Sequence, residues 1–303
     1  MTGPGGSLQV DPVRPSQLRE LLARAGIRPQ RRLGQNFLID GNVRDRIIAA
    51  ARPSPEDAVF EVGPGAGALT LALLERCGLV VAVEKDRRLL AVLAGLVPPQ
   101  APVELIEADA LTIPWAATLL EAAGRRGLQP ERLLFVANLP YSITGPALVR
   151  LLAGERQFSG AVIMVQKEVG DRLTASPATK DYGSLTLLAQ YHGHVEKLFT
   201  VAPGSFWPRP AVVSMVLRFT RRADPPATAP EQVLFTVIRA AFAQRRKTLR
   251  NALAAGLGLP ADTVAAALAA AGVDGSRRGE TLTLAEFDRV AQSLPVEDMH
   301  REG

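Results

Sequence analysis

Apolar and polar positions along the chain follow two alternating patterns. Short apolar runs at 58–62, 79–84, 103–108, 133–137 and 161–166 read as strands, while 68–77, 86–94 and 144–153 carry apolar residues at helical spacing. This succession predicts an α/β fold, with a mainly parallel sheet covered by helices. Two further strand-like runs, 195–201 and 212–219, are joined through a Pro-rich connection, which predicts an antiparallel addition that completes the sheet. Ahead of the sheet, Ser16 is placed to cap a short helix with Leu18, Leu21, Leu22 and Ala25 on one face and Gly26 as its stop. Both patterns fail at 220–230, where Arg221, Arg222, Pro225, Pro226 and Pro230 cluster. Ala- and Leu-rich helical patterning resumes over 231–255, 261–271 and 284–294. The expected organisation is an N-terminal extension with a short helix at 1–30, an α/β domain at 31–220, a linker at 221–230 and a small C-terminal helical domain at 231–303.

Composition narrows the chemistry. At 303 residues and 47% hydrophobic, the chain has ample material for a large core and room for two domains. The single Cys77 sits in an apolar helical pattern, which excludes an internal disulfide, and His192 and His194 read as a surface pair. No metal is therefore expected. The first sixteen residues lack the apolar core of a signal peptide, and no stretch of about 18 apolar residues occurs, so a cytoplasmic protein without a membrane partner is expected. Lys and Arg outnumber Asp and Glu by 35 to 30, a modest excess that suits a polyanionic partner.

Candidate chemistry gathers at the strand ends. Glu61-Val62-Gly63-Pro64-Gly65-Ala66-Gly67 closes the first strand and opens a helix, where glycines admit a ligand close to the backbone. Glu84 ends the second strand and suits the two hydroxyls of a ribose. To this point a NAD-dependent dehydrogenase fits almost equally well. Asp109, after the third strand, is placed to accept a hydrogen bond from an adenine amino group. Asn138-Leu139-Pro140-Tyr141 ends the fourth, with an amide, carbonyls held by proline and an aromatic ring that together suit a flat, nitrogen-bearing group. An adenosine with a short charged tail fits this set, and S-adenosylmethionine is such a molecule.

These motifs occur with Leu33-Gly34-Gln35-Asn36-Phe37-Leu38, Gln166-Lys167-Glu168-Val169, Phe242-Ala243-Gln244-Arg245-Arg246-Lys247-Thr248-Leu249-Arg250-Asn251 and Glu280-Thr281-Leu282. Over nearly its full length the chain resembles the small-subunit ribosomal RNA adenine N6-dimethyltransferases, which dimethylate two adjacent adenosines near the 3′ end of 16S rRNA. The resemblance implies a Rossmann-like, S-adenosylmethionine-dependent methyltransferase sheet with a helical RNA-binding domain, acting as a monomer on the small subunit and serving its biogenesis. It implies that Asn36 and Leu38 close over the cofactor, Gly63 approaches its methionine part, Glu84 holds the ribose, Asp109 contacts the adenine, and Asn138 bridges cofactor and target. Gln35, Gly65, Lys85 and Ala110 count as cofactor neighbours, and Phe206 as a second aromatic face beside Tyr141. Departures are small: Ala66 replaces a larger aliphatic residue, Gly145 a common Thr, and the Gly-Arg stretch at 124–132 looks inserted.

The amine of adenine is a poor nucleophile because its lone pair is delocalised into the ring. The Asn138 side-chain oxygen and a carbonyl of Leu139 or Pro140 are expected to accept its hydrogens and aim it, with Tyr141 stacking on the base; no general base is required. Leu234, Phe235, Ile238, Phe242 and Leu249 form an apolar stripe on one predicted helix, with Arg239, Arg246 and Arg250 on another face. Arg245, Arg246, Lys247 and Arg250, together with Arg31, Arg32, Arg221, Arg222, Arg277 and Arg278, are expected to contact RNA phosphates. The competing readings are a 23S rRNA adenine methyltransferase and a non-catalytic RNA-binding assembly or transcription factor.

Overall fold

In the computed structural model the described residues are 10–29, 34–244 and 246–295. Helix α1 (Pro15–Arg24) begins on Pro15, whose fixed φ suits the first turn and whose missing N–H costs nothing there; Ser16 lies inside the helix and does not cap it. After β1 (Phe37–Leu38), Asp40 caps α2 (Gly41–Ala51) by accepting the Val43 N–H at 3.2 Å. The other strands are β2 (Ala58–Val62), β3 (Leu79–Glu84), β4 (Val103–Glu107), β5 (Leu133–Asn138), β6 (Phe158–Gln166), β7 (Gly193–Val201), β8 (Phe206–Trp207) and β9 (Ser214–Arg221). Strand β8 pairs only with β1, and the remaining seven form one sheet in the order β4-β3-β2-β5-β6-β9-β7.

Strands β4, β3, β2, β5 and β6 run parallel, while β9 is antiparallel to β6, the expected addition. The carboxyl ends of the parallel strands therefore share one edge. The chain leaves β2 toward β3 and β4, then returns to the other side of β2 as β5, so the ends of β2 and β5 flank the point where strand order reverses. Alternation along β2 sends Val59 to one face, where it packs with Ile47, Val80, Val136 and Met164, and Phe60 to the other. There Phe60, Phe135 and Trp115 stack with ring centroids 5.0–6.4 Å apart, and Phe158 meets Phe135 edge-on.

The helices along the sheet are α3 (Thr70–Leu73), α4 (Arg87–Leu96), α5 (Trp115–Arg125), α6 (Thr144–Val149) and α7 (Lys167–Leu173). Then come α8 (Ser184–His192), α9 (Glu231–Ala243), α10 (Leu249–Leu257), α11 (Ala261–Ala270) and α12 (Leu284–Ser293). The chain divides into two compact units, Met1–Gly170 with Glu196–Arg221, and Asp171–Val195 with Arg222–Gly303. The segment 171–195, counted with the α/β domain in the sequence reading, falls in the second unit. That unit has its own core, built around Leu234, Ile238, Leu253, Val264, Phe287 and Val290.

Three features depart from the sequence expectation. The helix at 68–77 contracts to the four residues of α3, because the glycine turn extends to Leu69. The helix expected over 231–255 is two. Gln244 leaves the helical region at φ −131°, Thr248 caps α10 by accepting the Asn251 N–H, and the pair folds back so closely that a Cβ on Gly256 would lie 2.7 Å from Ala240 Cβ. Helices α2, α5, α7 and α8 were not anticipated.

Candidate active site

A cavity of about 480 Å³ opens at the shared carboxyl edge, entirely within the first unit. Its floor is the glycine turn after β2. Gly63 and Gly65 have φ of +68° and +57°, a region that penalises any side chain. A Cβ on Gly63 would lie 2.9 Å from Pro140 Cγ, and one on Gly65 3.1 Å from the Phe37 ring, so the turn fits directly against the Asn138 loop and β1. The Gly65 N–H does not point to an empty helix end. It donates to Glu84 Oε2 at 3.2 Å, while the Asp86 N–H donates to Oε1 at 2.9 Å. Burial raises the Glu84 pKa against the pull of these backbone donors.

A second carboxylate on the wall, Glu61, was read from the sequence only as part of the glycine motif. It is 2% exposed and accepts the Thr70 hydroxyl at 2.6 Å. Burial drives its pKa up to about 8, the Thr70 hydrogen bond opposes this, and the Glu84 charge adds to it. The signal was available: a glutamate inside the otherwise apolar, fully buried strand Ala58-Val59-Phe60-Glu61-Val62. Among the described residues neither Glu61 nor Glu84 has a basic partner.

Asp109 follows β4. Its Oδ2 accepts from Lys85 Nζ at 2.8 Å and its Oδ1 from the Leu111 N–H at 3.0 Å; the Lys85 hydrogen bond holds its pKa below the usual carboxylate value. Lys85 is otherwise exposed, and Ala110 is buried beneath the loop. Gln35, Asn36 and Leu38 enter the wall from the segment leading into β1.

At the end of β5, the Asn138 Nδ2 donates to the Asn36 carbonyl at 3.2 Å, and Asn36 Nδ2 donates to the Gly34 carbonyl at 3.2 Å. The Leu139 side chain is buried and its N–H donates to the Met164 carbonyl at 3.1 Å, which locks the loop to β6. The Pro140 carbonyl is already engaged, accepting from Thr144 Oγ1 and the Ile143 N–H, both at 3.1 Å. Among the described residues, Asn138 Oδ1 and the Leu139 carbonyl are the loop acceptors left open. Tyr141 shares a 2.7 Å hydrogen bond with the buried Ser214 hydroxyl, and burial raises its pKa.

The structure thus brings Gln35, Asn36, Leu38, Gly63, Gly65, Glu84, Lys85, Asp109, Ala110, Asn138, Leu139, Pro140 and Tyr141 around one cavity. Phe206 is not among them. It is 2% exposed, opposite Leu38 in the β1–β8 ladder, because strand alternation turns it into the core and sends Trp207 to the other side, where it packs half-buried on the cluster that holds Phe37. In this arrangement it offers no second aromatic face.

The basic residues are also sorted differently. Arg245, Arg31 and Arg32 lie outside the described residues. Arg246 and Lys247 are exposed on the turn between α9 and α10, not on a helix face. Arg250 is held by the Ala261 carbonyl at 3.1 Å and Asp262 Oδ1 at 3.0 Å. Arg221 donates to the carbonyls of Leu151, Leu152, Glu155 and Phe158, and Arg277 pairs with Glu286, whose pKa falls to about 2 chiefly through that hydrogen bond. Both of these arginines serve the fold, while Arg222 and Arg278 are exposed. Among the described residues no cluster of three His, Cys, Asp or Glu side chains could hold a metal ion, and no helix is long and apolar enough to cross a membrane.

The chain is similar to known proteins over most of its length. The chain is 48% identical to the ribosomal RNA small subunit methyltransferase A of Pelotomaculum thermopropionicum over 92% of its length and 96% of that protein's. It is 44% identical to the protein of the same name from Geobacillus thermodenitrificans, with the same coverage. Its fold matches the crystal structure of a dimethyladenosine transferase from Plasmodium falciparum with a TM-score of 0.70 at 24% identity, over 84% of this chain and 95% of that one. It also matches the 23S rRNA methyltransferase ErmE at 0.63 and 28%, over 86% and 99%. The model of the ribosomal RNA adenine dimethylase family matches residues 27–294, and the chain belongs to that family.

Proposed function

We propose that the protein is an S-adenosylmethionine-dependent rRNA (adenine-N6,N6)-dimethyltransferase that modifies two adjacent adenosines near the 3′ end of 16S rRNA in the small subunit, and so contributes to its biogenesis. One observation carries this reading: the Asn138 loop, the glycine turn and the carboxylates Glu84 and Asp109 open onto a single cavity. The names of the similar proteins point to the same substrate.

The residues present fit the cofactor. The space a Cβ would fill at Gly63 is closed by Pro140, which leaves bare backbone toward the cavity, and the carboxylates Glu61 and Glu84, hydrogen-bonded but without a basic partner, suit a cationic ligand once ionised. Glu84 would hold the ribose hydroxyls, Asp109 the adenine amino group, and Asn36 and Leu38 would cover the bound molecule. When bound, S-adenosylmethionine supplies an electrophilic methyl group on a sulfonium. The protein's part is alignment. Asn138 has its Nδ2 committed to Asn36, so its Oδ1 is the end that accepts a hydrogen from the target N6. The Leu139 carbonyl accepts the other, since that of Pro140 is occupied. Tyr141, its hydroxyl fixed by Ser214, stacks on the flipped base and offsets part of a cost of a few kcal/mol for leaving the helix. Exposed Arg222, Arg246, Lys247 and Arg278 supply phosphate contacts, adequate for an RNA read mainly by shape.

The test is to incubate the protein and labelled S-adenosylmethionine with undermethylated small subunits, large subunits and naked rRNAs, then map the modified bases. Label in two adjacent small-subunit adenosines is expected, and label confined to large-subunit RNA would overturn the assignment. Asn138→Ala should reduce methyl transfer by about 10²–10³-fold, as removal of one aligning group does elsewhere, while cofactor binding stays measurable. Near-normal turnover by the purified variant would remove Asn138 from this role.

A further inference from the structure

Arg150 stands one short helix beyond the Asn138 loop, where α6 loosens into a π-helical turn over Arg150–Gly154. Such turns change the direction of a side chain and recur at functional sites. Here the guanidinium is turned onto the loop that follows β4. Nη1 donates to the Leu111 carbonyl at 2.8 Å and the Ala110 carbonyl at 3.4 Å, Nη2 to the Ile113 carbonyl, and Nε to Glu155 Oε1 at 2.9 Å. Glu155, itself buried, accepts the Trp115 N–H at 3.0 Å and the Ala116 N–H at 2.9 Å. The Trp115 indole donates to the Ala110 carbonyl at 2.6 Å, and the guanidinium lies 5.0 Å above its ring. A single ion pair thus fixes both donors and acceptors of residues 110–116.

That loop begins at Asp109 and Ala110, which line the cavity. The two tethers of the Asp109 carboxylate differ in kind. Lys85 is 73% exposed, so its hold on the carboxylate is screened by solvent. The other tether is the Leu111 N–H at 3.0 Å, and the carbonyl of that same Leu111 is the one Arg150 grips at 2.8 Å. The place of the carboxylate therefore depends on Arg150. The sheet supplies the other end of the frame: Trp115 stacks on Phe135 at 5.0 Å, and Phe135 lies on the strand that ends at Asn138.

We propose that Arg150 is a positioning residue that sets the preference of the cofactor site for a 6-amino purine, by holding Leu111 and through it Asp109. The proposal rests on reading the cavity as the S-adenosylmethionine site. It goes beyond that reading in assigning nucleobase discrimination to a side chain that does not line the cavity.

The experiment titrates the full-length protein calorimetrically with S-adenosylhomocysteine and with S-inosylhomocysteine, whose purine carries an oxygen in place of the amino group. The wild type should favour the adenine compound by about tenfold or more, the worth of one charge-assisted hydrogen bond. In Arg150→Met the preference should fall to within about twofold, and the KM for S-adenosylmethionine should rise about tenfold while kcat changes by less than about threefold. Arg150→Lys keeps the charge and one donor and should restore part of the preference; if the Met variant does not fold, the Lys variant decides alone, by a preference lower than wild type. A wild-type preference surviving in every variant that folds overturns the role of Arg150, whatever happens to melting temperature. A wild-type protein that binds neither compound overturns the reading of the cavity itself.

Discussion

Gly63→Ala separates the two demands made on the glycine turn. The first is conformational: at φ +68° a side chain costs about 1–2 kcal/mol. The second is spatial. The new Cβ would meet Pro140 Cγ at 2.9 Å, about 0.5 Å short of the 3.4 Å where ordinary contact begins, so the Asn138 loop must retreat. Gly127→Ala is the control, because Gly127 has φ +67° in the same unit and nothing within 4 Å of its Cβ. Gly127→Ala should lose about 1–2 kcal/mol of stability and Gly63→Ala at least as much, read as roughly 2–4 °C of melting temperature per kcal/mol. Only Gly63→Ala should lose turnover. A misplacement of about 1 Å can cost about 10²-fold, so half of that corresponds to about tenfold in kcat, or ~1.4 kcal/mol. The assay is steady-state methyl transfer at saturating cofactor. If the two variants melt alike and turn over alike, the contact between glycine turn and catalytic loop has no kinetic meaning and the reasoning fails.

Glu61 gives a pH signature. Its proton is held up to about 8 in the folded protein against an ordinary 4.5, so between these values the folded state binds more protons than the unfolded one and stability falls as pH rises; Glu61→Gln should flatten that fall. A cationic cofactor favours the ionised carboxylate, so affinity should climb as pH passes about 8 in the wild type and stay level in the variant, and equal slopes in calorimetric titrations would contradict this. For RNA, binding to small subunits should weaken steeply with salt, and Arg246→Ala with Lys247→Ala should lower the log–log slope by about 1.5; an unchanged slope would mean that this turn lies away from the phosphates.

Strands β2, β3 and β5 were legible as apolar runs, and Glu84, Asp109 and Asn138 stand at or just beyond the carboxyl edge of the parallel ladder, whereas the two-residue β1 and β8 were not anticipated. What escaped reading depends on contacts distant in sequence. The helical spacing of Leu234, Phe235, Ile238, Phe242 and Leu249 stays in register past 244–248, and the break shows only in the fold, where Gln244 leaves the helical region, Thr248 caps α10 and Gly256 seats against Ala240. Arg221 looks like any surface arginine until four carbonyls are found around it, and Phe206, which the resemblance placed on the target pocket, is turned into the core where β8 pairs with β1. Thr70, nine residues from Glu61, and Arg150, about forty from the loop it grips, act through geometry that no spacing rule announces.

The bond between Tyr141 and Ser214 spans 73 residues of sequence and joins the turn after β5 to the start of β9, two segments that the ribosome delivers far apart in time. When β6 emerges, its outer edge has no neighbour, and β7, made next, cannot dock until β9 has been inserted between them. A nascent chain that ends before Ser214 therefore has every residue that lines the cavity already synthesised, yet lacks the hydroxyl that holds Tyr141. The strand that fixes the Tyr141 hydroxyl is thus made long after every residue that lines the cavity, so the wall of the site is finished by a part of the chain that does not line it.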